Sequence, residues 1–286
     1  MCCDGQVTDD SEPGGLRAVA EGLAEEAAGF VRRRRDEVFG AGVAPGDPAS
    51  AVRSKSTPTD PVTVVDTETE RLLRDRLAEL RPGDPIVGEE EGGSPVGHRG
   101  TPTWVLDPID GTVNFVYGVE AYAVSVGVQV DGRSVAGAVA NVPTGEIFSA
   151  ALGQGARLQR DGASMPLRCN AIDEISMALV GTGFSYSPEQ RRVQGEVLTR
   201  LLPVVRDVRR IGSCALDLCM VAAGRLDAYY EEGVNVWDWA AGALIAAEAG
   251  AIMQLPPVDG SGGLITASAP GIAAAFHDVL GRAGAL

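Results

Sequence analysis

Residues 104–115 read Trp104-Val105-Leu106-Asp107-Pro108-Ile109-Asp110-Gly111-Thr112-Val113-Asn114-Phe115, an apolar run that closes on two carboxylates. The apolar start is the end of a buried strand, and the strand delivers two carboxylates separated by a proline. Pro108 stiffens the turn and leaves the Ile109 carbonyl free to point outward. Asp107, the Ile109 carbonyl and Asp110 can then converge on hard cations, because oxygen ligands favour Mg2+, Mn2+ or Ca2+. Gly111 permits close backbone approach. Thr112 opens a short helix whose N–H groups can hold a phosphate oxygen. A surface Asp-Pro turn or Asp-Gly turn would account for either half alone, whereas the whole string points to chemistry.

Upstream, Gly88-Glu89-Glu90-Glu91-Gly92 follows a short apolar strand at 85–88. Glu89 therefore emerges at a strand's C-terminal end, the edge of a sheet where ligands gather. Three glutamates in a row are also an ordinary solvated loop. Further upstream, Asp60-Pro61-Val62-Thr63-Val64-Val65-Asp66 sets Asp66 near the start of a helix at 65–80. There it is a helix cap or first-turn acid, or a carboxylate of the site. Lys55 is the only lysine in the chain, every other basic residue being arginine, so a compact ammonium is retained at this position. Downstream, Trp237-Asp238-Trp239-Ala240-Ala241-Gly242 puts Asp238 at the start of a small-residue helix at 238–249. It either caps that helix or presents an oxygen to a metal.

Around these motifs the hydrophobic periodicity defines the frame. A helix at 15–39 carries Leu16, Val19, Leu23, Ala27 and Phe30 on one side. Strands follow at 103–106, 121–130, 134–142 and 146–151, with turns at Asp131-Gly132 and Thr144-Gly145. Gly153-Gln154-Gly155 is a turn and not a dinucleotide fingerprint, since no helix follows it. From 172 the pattern alternates: strand 177–181, helix 188–202, strand 208–211, helix 213–223, strand 227–231, helix 238–249, strand 263–267 and a last helix from 271. The expected class is α/β, made of an α+β half (15–171) and an α/β half (172–286) behind a frayed leader (1–14).

Composition narrows the function. The 286 residues are 45% apolar with a formal charge of −15, which argues for a globular protein and against nucleic acid as a partner. The basic run 32–35 reads as a solvated last turn suiting the helix dipole. The best apolar run, 234–253, is broken by Asp238 and Glu248, so no membrane span is expected. The leader lacks the basic and apolar blocks of a signal peptide, which implies a cytoplasmic protein. Five cysteines without C-x-x-C and only His98 and His277 argue against disulfides, zinc, Ser–His–Asp and Cys–His chemistry. Carboxylates must do the work, and metal ions can screen an acidic protein from an anionic substrate.

The strings D-P-I-D-G-T-x-N-F and W-D-x-A-A-G, with G-E-E, V-T-x-x-D and K-S-x-P in order, resemble the inositol monophosphatase family from the first helix to the last. The resemblance implies a layered αβαβα sandwich of the inositol monophosphatase/sugar phosphatase type, a homodimer, and Mg2+-dependent hydrolysis of a small phosphorylated polyol. It implies inhibition by lithium. Glu89, Asp107, the Ile109 carbonyl, Asp110 and Asp238 would hold two or three Mg2+. Gly111 and Thr112 would hold the phosphate. Thr112 and Asp66 would orient the attacking water, and Glu89 would share in catalysis as a ligand. Glu231 would accept hydrogen bonds from substrate hydroxyls, Cys214 would line the same face, and Lys55, Asp110 and Asp238 would also face substrate. Cys214 and Trp239 stand where smaller residues are usual and would narrow the pocket. Fructose bisphosphate, histidinol phosphate and adenosine bisphosphate are substrates of relatives with the same metal core, and a non-catalytic regulatory protein on this fold is the contrasting class.

Overall fold

In the computed structural model of the chain, residues 12–40, 52–54, 61–93, 99–257 and 263–286 are described. Helix α1 (Pro13–Phe39) starts with proline at its first turn and buries Leu16, Ala20, Leu23, Ala24, Ala27, Ala28 and Val31, a stripe at three- and four-residue spacing. The short strands β1 (Val52–Ser54) and β2 (Pro61–Thr63) pair antiparallel and lead into α2 (Val64–Leu80). Next come β3 (Ile86–Gly88), β4 (Thr103–Asp110), α3 (Thr112–Tyr117), β5 (Ala123–Val130), β6 (Arg133–Asn141), β7 (Ile147–Ala151), β8 (Ala156–Arg160) and β9 (Ala163–Pro166). The remainder is β10 (Leu179–Thr182), α4 (Pro188–Leu201), β11 (Asp207–Arg209), α5 (Cys214–Ala222), β12 (Ala228–Glu232), α6 (Val236–Glu248), β13 (Ile252–Gln254), β14 (Leu264–Ser268) and α7 (Ala273–Ala283).

Strands β3 to β9 form one seven-stranded sheet in sequence order, antiparallel except for β3 beside β4. A five-stranded sheet has the order β11-β10-β12-β14-β13, with β10 parallel to β11 and β12. Side chains alternate across each strand, so each sheet needs cover on both faces. On one face of the larger sheet, Leu23 and Val31 of α1 and Leu73 and Leu77 of α2 pack with Trp104, Leu106 and Val126. On its other face lie α5 and α6, whose Leu216, Leu218 and Ile245 also meet Tyr229 and Ile265 of the smaller sheet. Val197, Leu201, Phe276 and Leu280 of α4 and α7 close the far side against Val180, Ala228 and Tyr230. The result is the expected αβαβα sandwich.

Two glycines set how deep α6 sits. Gly127 and Gly137 face each other across β5 and β6. A Cβ on Gly127 would lie 2.9 Å from the Ala240 Cβ, and one on Gly137 would lie 2.9 Å from the Ala241 Cα. The bare strand surface and the small helix residues let α6 press onto the sheet, and this brings its first turn to the end of β4.

The structure departs from several expectations. Strand β4 runs through Pro108 instead of stopping at 106, and α6 begins at Val236 instead of Asp238. Strands β1, β2, β9 and β13 were not anticipated; all of β9 is exposed, so no buried face marks it in the sequence. The arginine run is not the last turn of α1, which ends at Phe39, and it is solvated only in part, at Arg32 and Arg33. Arg32 Nη1 donates to the Val142 carbonyl at 2.8 Å, Arg34 Nε to Glu68 Oε2 at 2.8 Å and Arg35 Nε to the Phe115 carbonyl at 3.1 Å, tying α1 to its neighbours. Among the described residues, no helix is long and apolar enough to cross a membrane. Most of the leader, residues 1–11, and Lys55 lie outside the described residues.

Candidate active site

The end of β4 builds the floor. Asp107 pairs with Ser125 and Asp110 with Ala123, so three steps along β4 oppose two along β5. This is a one-residue bulge. By strict alternation Asp107 and Asp110, three apart, would point to opposite faces; the extra residue restores their parity. The Ile109 N–H donates to Asp107 Oδ1 at 3.0 Å, closing a turn over Pro108. The Ile109 side chain goes into the core, while the residue also lines the cleft.

The other carboxylates are held by helix termini. Asp238 is the third residue of α6, not its N-cap, and its Oδ2 accepts from the Asn235 N–H at 2.5 Å. Asp66 occupies the same place in α2: its Oδ2 accepts from the Thr63 N–H at 2.9 Å, and Thr63 Oγ1 accepts from Val65. Each carboxylate thereby spends one oxygen on its own helix and turns the other elsewhere. Asp110 is fixed across the chain, its Oδ2 accepting from Ser213 Oγ at 2.7 Å and the Ala215 N–H at 2.6 Å at the start of α5. Ser213 also caps α5 by accepting from the Leu216 N–H at 3.2 Å.

These anchors bring one ligand oxygen each from Asp107, Asp110 and Asp238 within 4.8 Å of one another. Like charges this close in a dry site raise proton affinity. Burial pushes the Asp110 carboxyl up to about 7, with the charges of Glu231 and Glu89 adding to the rise and the Ser213 and Ala215 hydrogen bonds opposing it. Burial, then the charges of Asp110 and Glu89, pushes Asp238 well above the usual carboxylate range. An all-oxygen set with uncompensated negative charge fits hard divalent cations.

The four predicted ligating carboxylates line one cleft of about 560 Å3, together with Ile109, Gly111, Thr112, Cys214 and Glu231. Glu89 reaches it from the β3 end but is not part of the three-carboxylate cluster. Asp66 does not line the cleft. It lies behind Thr112, whose Oγ1 is 3.1 Å from Asp66 Oδ1 and 3.0 Å from the Ile109 carbonyl. Gly111 takes φ 95° and lies so close to the next segment that a Cβ would be 3.0 Å from the Gly212 carbonyl. Glu231 lies over the α-carbon of Gly183 and accepts from the Tyr229 hydroxyl at 2.5 Å. Burial pushes Glu231 up, while the Tyr229 hydrogen bond and the Arg210 charge pull it down. Cys214 lines the cleft as expected. Trp239 does not: it is buried in the core between the sheets, and Trp237 is the tryptophan at the cleft.

Sequence reasoning missed several supporting groups. Glu70, fully buried, accepts from the Glu90 N–H at 2.7 Å and the Glu91 N–H at 3.0 Å, holding the loop that carries Glu89. Its place four residues after Asp66 on one helix face was the available signal. Asn114 Nδ2 donates to the Ala121 carbonyl at 2.7 Å and the Ile211 carbonyl at 2.9 Å, fastening α3 to the segment before α5. The cap at Ser213 is legible from a serine before a helix, but its second bond to Asp110 is not.

A two-sheet sandwich with a carboxylate-lined cleft between the bulged end of β4 and two helix N-termini is the architecture of a metal-dependent phosphatase. A family model described as inositol monophosphatase family matches residues 15–281, and the chain belongs to that family. The inositol-1-monophosphatase of Mycobacterium leprae (strain TN) is 65% identical over 282 residues, 96% of each chain. Inositol-1-monophosphatase SuhB of Mycobacterium tuberculosis (strain ATCC 25618 / H37Rv) is 65% identical over 270 residues, 92% of each chain. The solved structure titled Mycobacterium tuberculosis SuhB superposes with a TM-score of 0.82 at 58% identity, over 96% of this chain and 99% of that one.

Proposed function

We propose that this chain hydrolyses myo-inositol monophosphate to inositol and inorganic phosphate with Mg2+ held by Glu89, Asp107, the Ile109 carbonyl, Asp110 and Asp238. The observation that carries the reading is the convergence of the Asp107, Asp110 and Asp238 oxygens within 4.8 Å at the floor of the cleft that also holds Glu231. The names of the 65% identical relatives support the same substrate. When bound, the divalent cations supply positive charge to the phosphoryl and leaving oxygens and acidify the attacking water.

The chain's own residues do the rest. The N–H groups of Gly111 and Thr112, at the open start of α3, bind a phosphoryl oxygen. Thr112 Oγ1 takes a proton from the water as it gives its own to Asp66 Oδ1, 3.1 Å away. The Thr63 N–H and hydroxyl hold the other oxygen of Asp66, so the acceptor is fixed before substrate arrives. Glu231, held by Tyr229, accepts hydrogen bonds from ring hydroxyls and orients the polyol. The enzyme works as a cytoplasmic homodimer on a small-molecule substrate.

Phosphate release from inositol phosphates, fructose bisphosphate, histidinol phosphate and adenosine bisphosphate tests the reading. Release from inositol monophosphate should need Mg2+, vanish with chelator and be inhibited by Li+ at concentrations where Na+ has no effect. Absence of Mg2+-dependent release from every substrate would make the protein a non-catalytic member of its family.

A further inference from the structure

Helix α2 carries three charged residues one turn apart on one face: Asp66, Glu70 and Arg74. Asp66 stands behind Thr112. Glu70 and Arg74 face the turn between β3 and Gly92, and that turn carries Glu89 into the cleft. Neither of them lines the cleft, and Glu70 has no exposed surface. A carboxylate taken so far from water is costly to bury, and its bonds show what it does there.

Three successive N–H groups of the turn are held. That of Glu89 donates to the Leu106 carbonyl, at the residue before Asp107 on β4, at 3.2 Å. Those of Glu90 and Glu91 donate to the two oxygens of Glu70, at 2.7 Å and 3.0 Å. Arg74 grips the far end of the turn. Its Nη2 donates to the Gly92 carbonyl at 2.6 Å, and its Nε donates to Glu70 Oε1 at 2.9 Å. Gly88 makes room for this clamp: a Cβ there would lie 2.2 Å from Glu70 Oε1, so the carboxylate rests on the bare α-carbon immediately before Glu89.

The other ligating carboxylates are fixed differently. Asp110 and Asp238 are anchored through their own oxygens, and with Asp107 they converge without Glu89. Glu89 comes from a separate turn, and Glu70 and Arg74 place that turn through its backbone. We propose that Glu70 and Arg74 are positioning residues for catalysis, which set the affinity for a divalent cation bound through Glu89 and leave the Asp107–Asp110–Asp238 cluster nearly untouched. The inference rests on the phosphatase reading above and adds to it two residues that act only through Glu89.

The test counts free Mn2+ by electron paramagnetic resonance, without substrate, in the full chain. Mn2+ suits the same oxygen ligands as Mg2+ and is directly visible. The proteins are wild type, Glu70→Gln, Arg74→Lys, Glu89→Gln and the double variant Glu70→Gln/Glu89→Gln. Glu70→Gln keeps the shape of the side chain but turns an amide donor toward one of the N–H groups. It should raise the dissociation constant of one class of site about ten- to hundred-fold and leave the other class within about two-fold. Arg74→Lys keeps the charge but not the fork, so it should give a smaller rise of the same kind. In the Glu89→Gln background, Glu70→Gln should add nothing, because the turn then has no carboxylate to place. The Mg2+ half-saturation point for phosphate release should rise in parallel, with KM for inositol monophosphate at saturating Mg2+ unchanged. Melting curves identify any variant that does not fold, and Arg74→Lys carries the comparison if Glu70→Gln is one. Unchanged Mn2+ binding in the folded variants would overturn the proposal. So would an equal weakening of both classes of site, or a loss that multiplies with that of Glu89→Gln, since either would make Glu70 a support of the whole fold. A wild type that releases no phosphate would instead refute the function proposed above, and the Mn2+ pattern would still decide the placement of Glu89.

Discussion

Removing the Thr112 hydroxyl or the Asp66 charge should stop the proton transfer without disturbing the metal site. Thr112 Oγ1 and Asp66 Oδ1 are 3.1 Å apart, inside the reach of a direct proton transfer. Positioned acid–base groups contribute about 10²- to 10⁴-fold, so Thr112→Ala and Asp66→Asn should each lower kcat by about 100-fold or more with little change in KM. The stability cost should be small. Gly111, not Thr112, is the N-cap of α3, so Thr112→Ala removes one hydrogen bond worth about 1 kcal/mol. Asp66→Asn keeps the size of the group and an oxygen for the Thr63 N–H, and its loss should not exceed the roughly 1 kcal/mol of a helix cap. Such a loss lowers Tm by about 2–4 °C in a chain of this scale. The assay is steady-state phosphate release at saturating Mg2+, with the Mg2+ half-saturation point measured for each variant. Because both groups move one proton, the double variant should be little slower than the slower single one, and Thr112→Ser should retain most activity. Losses that multiply to about 10⁴-fold, or a Mg2+ half-saturation point that shifts enough to explain the slower rate, would refute the relay.

Ser213→Ala removes the 2.7 Å bond to Asp110 and the cap of α5 together. Titration with Mg2+ should show a half-saturation point about 10- to 100-fold higher, and melting should show a loss of about 1 kcal/mol. Gly183→Ala would put a Cβ 2.0 Å from the Glu231 carboxylate and displace it from the Tyr229 hydroxyl. KM for inositol monophosphate should rise about ten-fold while kcat changes less, if Glu231 orients the polyol. Asp217 is buried, and neither carboxylate oxygen has a hydrogen-bond partner among the described residues; burial and the charges of Glu231 and Asp110 push it well above the usual range. The folded chain thus holds a proton that the unfolded chain releases above about pH 4, and this contribution to stability fades as pH rises toward the folded value, by up to about 1.4 kcal/mol per pH unit. In chelator, Asp217→Asn should gain stability relative to wild type as urea unfolding is repeated from pH 5 to pH 8. Parallel curves would show that Asp217 is ionised in the folded chain.

The candidate site was legible because its residues sit in short strings. Asp107, Asp110, Glu89 and Asp238 stand beside glycine, proline and small residues whose backbone roles are local, and local preferences are what a sequence states directly. The same holds for α1, whose buried stripe repeats at helical spacing, and for β4 and β5, which are buried along most of their length. Strand β9 was not legible: all four of its residues are exposed, and it exists through backbone pairing with β8 that no side-chain pattern records. The arginine run shows the same limit, since its partners Glu68, Phe115 and Val142 are distant in the chain. Read alone, the residues supply the candidate carboxylates, Glu89, Asp107, Asp110 and Asp238, and the local motifs that carry them. Their convergence in one cleft is a product of tertiary packing. Asp107 and Asp110 share a face because pairing with β5 forces a bulge, and Asp238 joins them because Gly127 and Gly137 let α6 settle onto the sheet. Both depend on contacts between segments far apart in the chain, whose distances are set by packing and not by any property of the residues taken one at a time.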